Sequence, residues 1–133
     1  MSVYRNTATL LTVAPATATG QVGSTYVVLP ADGDRLNDKD QSFRVFLHGT
    51  QAGGATGPTT DIRLETSDDK TNWVTAASAT QLAQDGAVHE FKDVTALGPF
   101  VRAVTQLGGD TKPNHTARVV LVSNGPFRLV KVS

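Results

Sequence analysis

Asp61-Ile-Arg-Leu-Glu-Thr-Ser-Asp-Asp-Lys-Thr-Asn-Trp-Val74 decides the fold of this chain. Ile62 and Leu64 alternate with Arg63 and Glu65, the two-residue period of a half-buried strand. Residues 67–72, Ser-Asp-Asp-Lys-Thr-Asn, are rich in side chains that bond their own backbone in turns. Trp73, the only tryptophan, then opens a second strand and lays a large aromatic surface on the sheet. Strand, polar turn and strand indicate an antiparallel β class. Ile62, Leu64 and Trp73 are expected core anchors, and residues 67–72 a tight turn in solvent.

The same grammar continues in both directions. Apolar, β-branched segments cover residues 7–13, 25–29, 42–48, 88–91, 100–105, 116–122 and 127–132, with turn signals between them. Phe100, Val119 and Leu121 join the expected core. Residues 14–20 are small and polar and read as a loop or a surface arm, so residues 1–20 form an N-terminal arm or first edge strand and 21–133 a single domain. Residues 49–58 hold four glycines and a proline, the composition of a flexible loop. Residues 78–84 alone have helical composition. Eight or nine short strands in 133 residues predict an all-β fold, an antiparallel β-sandwich or jelly roll. A chain of this length buries roughly two thirds of its unfolded surface, enough for a core without staples.

Two strands are apolar on both faces. Val45 and Leu47 point one way and Phe46 the other; Val119 and Leu121 oppose Val120 and Val122. An antiparallel sheet normally shows water one of its faces. Either a loop covers these central strands, or their second face is a subunit interface. Twelve basic residues balance twelve acidic ones, and low net charge favours association.

Composition argues against several functions. Without cysteine there are no disulfides or thiolate metal sites, which fits a reducing cytoplasm. No Lys/Arg run tracks phosphates, so no nucleic-acid partner is expected. No apolar run approaches the roughly 18 residues of a spanning helix, and residues 1–6 lack a secretion pattern, so no membrane partner is expected either. His48 and His89 fall on expected strands and His115 in a turn, none at metal-ligand spacing. Asp32, Asp34, Asp38 and Asp40 lack calcium-loop spacing and sit among Arg35 and Lys39, as in a solvated loop. Glu65 and Glu90 stand alone, so no acid–base pair is indicated. Residues 49–58 lead into a strand rather than a phosphate-loop helix. No cofactor, metal or catalytic residue is expected, and the chain does not read as an enzyme.

Leu64-Glu-Thr-Ser-Asp-Asp-Lys-Thr-Asn-Trp73, followed by Leu97-Gly-Pro-Phe-Val-Arg-Ala-Val104, resembles two families. One is the discoidin-like, galactose-binding jelly roll. The other is a group of small β-sandwich proteins of tailed-bacteriophage virions, notably capsid decoration (cement) proteins. Discoidin-type binders are usually secreted and often cysteine-bridged. The Ala/Thr/Gly-rich composition and small-residue N-terminal segment of this chain are more similar to the virion group. That resemblance implies a structural protein of the virion, made in the host bacterial cytoplasm. It would be a dimer or trimer bound to the major capsid protein on the outside of the shell. The resemblance to the discoidin group leaves a carbohydrate- or cell-surface-binding jelly-roll module, tail-associated or not, as the alternative. Contacts are expected from residues 2–21 and 49–58, with Tyr4, Leu10, Leu11, Pro15, Phe46, Gly53, Gly54 and Pro58 on the interaction surface. Removing residues 2–20 is expected to abolish capsid binding and leave the sandwich folded.

Overall fold

The structure is a computed structural model that describes residues 6–16, 21–30, 42–52, 59–94, 97–108, 114–125 and 127–132. The expected residues Tyr4, Gly53, Gly54 and Pro58, and the acidic segment 32–40, lie outside them. The described elements are all strands: β1 (Asn6–Ala16), β2 (Gln21–Val22), β3 (Tyr26–Pro30), β4 (Phe43–Ala52), β5 (Thr59–Ser67), β6 (Val74–Ser78), β7 (Gly86–Val94), β8 (Phe100–Gly108), β9 (Asn114–Ser123) and β10 (Phe127–Lys131).

They build two antiparallel sheets. One has the order β1-β9-β4-β7; the other runs β10-β3-β8-β5-β6, with the two-residue β2 also pairing with β8. The pairings β5·β6, β4·β7, β3·β8 and β1·β9 are nested, each enclosing the one before. The chain is thus one long hairpin folded across itself, the winding of a jelly roll. The core lies between the sheets, where Phe43, Val45, Leu47, Ile62, Leu64, Val101, Ala103, Val119 and Leu121 are almost completely buried. Each large apolar side chain removed from water there contributes about 1.5–3 kcal/mol. Ile62, Leu64, Val119 and Leu121 therefore lie where the two-residue period places them.

Four expectations need correction. First, residues 14–16 are not loop: β1 runs to Ala16 and is the edge strand of the four-stranded sheet. A register shift at Leu10 lets both Leu10 and Leu11 face inward, at 3% and 7% exposure, with Val13 at 4%. Such a bulge turns one extra side chain toward the core. Pro15 falls at a second irregularity on this edge, where a missing N–H is tolerated. Leu10 and Leu11 are core residues, not interaction residues, so removal of residues 2–20 would open the sandwich rather than spare it.

Second, Gly49 to Ala52 belong to β4. Gly49 points inward, and a Cβ there would collide with the tip of Ile62. The glycine marks a close approach of the two sheets rather than a loop. Third, residues 78–84 form no helix. Ser78 ends β6, and the chain then follows β5: Ala79 N–H donates to Ile62 C=O, and Thr60 and Leu82 exchange backbone bonds at 2.9 and 3.0 Å. Fourth, Phe100 and Trp73 are not core anchors. In β8 the inward residues are Val101 and Ala103, one step out of phase with Phe100. Trp73 lies half-buried outside the core cluster, its ring 4.2 Å from the Arg102 guanidinium.

Candidate functional site

Two outer faces compete as working surfaces. On the larger sheet, Arg63 and Arg102 both donate to Glu65, at 2.9 and 2.7 Å, beneath Trp73. Burial alone would raise the Glu65 carboxyl, but the two guanidiniums outweigh it and hold it below its ordinary value. The adjoining turn is closed by its own side chains. Asp69 accepts from the backbone of Thr71 and Asn72 and from the Asn72 amide, while Ser67 Oγ accepts from the backbone of Asp69 and Lys70. These donors depress the Asp69 carboxyl far below the usual carboxylate range. Lys70 takes the left-handed conformation at φ 66°, and its ammonium lies 5.3 Å from the Phe100 ring. The charges of Arg63, Arg102 and Glu65 are thus paired with one another, and Asp69 is tied up in its own turn, while Val74 beside them is 65% exposed.

The four-stranded sheet presents a different surface. β4 reads Arg44-x-Phe46-x-His48 and β7 reads His89-x-Phe91-x-Asp93. The two patterns mirror each other, and an antiparallel ladder brings matching positions together: Arg44 opposes the complementary Asp93, Phe46 opposes Phe91, His48 opposes His89. Inward-pointing Val45 and Leu47 anchor β4 between them.

Contacts run continuously along this face. Arg44 Nε donates to Asp93 at 2.7 Å, which holds the Asp93 carboxyl below its ordinary value, and the same guanidinium lies 4.4 Å from the Phe91 ring. Phe91 meets Phe46 at 5.7 Å between centroids, and Phe46 stacks on His48, nearly parallel, at 6.3 Å. The His48 and His89 Nδ1 atoms are 2.8 Å apart, a hydrogen bond in which one ring donates and the other accepts. Arg118 of β9 sits in register with His48, and Thr12 of β1 in register with Arg118. Burial, then Arg118, then His89 lower the His48 pKa, so this imidazole stays neutral further into acid than an ordinary histidine.

Beside the aromatic strip lies an open groove of about 280 Å³, lined by Thr12, His48, Thr50, His89, Thr116 and Arg118 together with apolar Val13, Gly49 and Ala117. Phe91 forms its exposed neighbour at 52%. The described residues contain no group of three or more His, Cys, Asp or Glu able to hold a metal ion.

Phe46 is the expected interaction residue that this surface does contain. It is half-buried on the outer side of β4. The double-faced apolar character of β4 and β9 thus has a physical location: Phe46 and Val120 form one row across the outer sheet, with Phe91 at its end. His115 is not in a turn; it lies on β9, 1% exposed and facing inward. The pairing of His48 with His89 and the role of Phe91 were missed, although the mirrored Phe-x-His and His-x-Phe patterns carry that signal. The sequence matches no protein-family model and no curated protein.

Proposed function

We propose that this chain is a decoration protein of a bacteriophage virion, which binds the outside of a capsid and stiffens it through the outer face of its four-stranded sheet. The observation that carries the reading is Phe91, 52% exposed, continuous with Phe46 and flanked by Arg44, on a sheet whose core is complete without them. A rigid aromatic and arginine cluster beside a polar rim is the composition of an interface hot spot. Edge strand β1, with Thr7, Thr9 and Thr12 outward, extends the same face. Many copies, each adding modest binding energy, would resist pressure from within the shell. The protein acts in this reading as a mechanical part and not as an enzyme.

Glycan binding is the second reading. It is favoured by one observation: the exposed Phe91 ring stands beside a groove bearing Thr12, Thr50, His48 and Arg118. Aromatic surface next to convergent polar groups suits a sugar ring.

Co-expression with the major capsid protein encoded in the same genome separates the two. Decoration predicts that the chain sediments with assembled shells and that Phe46→Ser with Phe91→Ser releases it while the β circular-dichroism signal stays. Shells that sediment without the wild-type chain, together with its retention on a glycan array, would reverse the assignment.

A further inference from the structure

The histidine pair sits on this outer face, outside the core cluster. His48 and His89 are 41 positions apart in sequence and meet only through the β4·β7 register. Their Nδ1 atoms aim at each other across 2.8 Å, and both residues line the groove.

We propose that His48 and His89 form a two-histidine site for a borderline divalent transition metal, Ni²⁺ or Cu²⁺ in particular, with its remaining positions open over the groove. The ligand type sets the metal class, since imidazole suits borderline ions and binds Ni²⁺ and Cu²⁺ strongly. Imidazole binds such ions at about 2.0–2.1 Å, so two cis ligands at a right angle stand about 2.9 Å apart, and two tetrahedral ligands about 3.3 Å. At 2.8 Å the two nitrogens stand close enough to be cis ligands, but as a hydrogen-bonded pair they face each other, so both rings must turn for their lone pairs to converge on one ion. The chemistry is a substitution. The donor ring gives up its Nδ1 proton and takes one back at Nε2 through solvent, with no net release, so both neutral rings reach the Nε2–H tautomer and each Nδ1 lone pair is donated to the ion.

The surroundings set the strength. Arg118 is the charged group beside the pair, and the Arg44–Asp93 pair lies two rows away on the same face. Glu90 and Lys92 alternate to the other side of β7 and face each other at 3.6 Å. Arg118 opposes a bare cation but favours an anion or carboxylate completing its coordination. The site is therefore open and exchangeable.

The inference does not rest on the capsid reading, because it is tested on the isolated, untagged protein. Titration with NiCl₂ at neutral pH, followed by calorimetry, should show one equivalent bound. His48→Gln and His89→Gln should each weaken binding by about tenfold or more, at least what losing a mere supporting partner costs. Folding of both variants is checked by circular dichroism. Substoichiometric Cu²⁺ added to wild-type protein should broaden the ring signals of His48 and His89 before those of buried His115, which needs no variant. No saturable Ni²⁺ binding at millimolar metal, full binding in both variants, or broadening of His115 first would each overturn the assignment.

Discussion

Neighbouring residues of β4 have opposite duties. Leu47 is fully buried, whereas Phe46 beside it packs on the outer face against His48 and Phe91. Leu47→Ala should cost about 2–5 kcal/mol, because it leaves a cavity between the sheets. Phe91→Ser, at a half-exposed ring, should change stability far less; urea unfolding of both variants checks the contrast. Asp69 is the clearest acid-sensitive group. Its carboxyl is depressed in the folded chain, so the unfolded chain binds the proton more readily. The stability it contributes is complete above the ordinary aspartate range and is lost as pH falls through that range and below. Asp69→Asn should therefore flatten the acid side of the stability–pH curve and leave its slope near neutrality unchanged. Residue-scale reading succeeded where alternation was unambiguous, as at Ile62 and Leu64. It slipped by one position at Phe100, because Phe-Val-Arg-Ala-Val offers two apolar phases and only pairing selects Val101 and Ala103.

At the scale of elements, most strands were legible because a two-residue period survives in a single sequence. The misread ones owe their form to contacts with distant segments. Gly49 to Ala52 look like loop, yet the glycine is there because Ile62 fills the place of its Cβ. Residues 79–82 have helix-forming composition, but backbone bonds to Thr60 and Ile62 hold them along β5. β1 looked detachable because residues 14–20 are small, while its bulge places Leu10, Leu11 and Val13 in the core. A chain lacking residues 2–20 should lose its cooperative unfolding transition and its sharp amide spectrum. A well-dispersed spectrum from that truncation would show that β1 is dispensable. The site itself was half legible. Phe46 stood out as an outward apolar residue, but its partners depend on the β4·β7 register. The mirrored Arg44-x-Phe46-x-His48 and His89-x-Phe91-x-Asp93 patterns predict that register only once the two strands are known to pair antiparallel.

Over the whole molecule, the nested hairpins give two outer faces of different character. The face bearing Trp73 ties its charges to one another through Glu65, Arg63 and Arg102 and closes its turn through Asp69. The face bearing Phe91 leaves aromatic surface, a histidine pair and a groove open. In the proposed decoration role, docking falls to the second face, although Val74 on the first is itself 65% exposed. Hydroxyl-radical footprinting of the free and shell-bound protein tests this most directly. Strong protection of Phe46 and Phe91 on binding is expected, with Trp73 and Val74 as reactive as in the free chain. Protection of Trp73 and Val74 with Phe91 unchanged would contradict it.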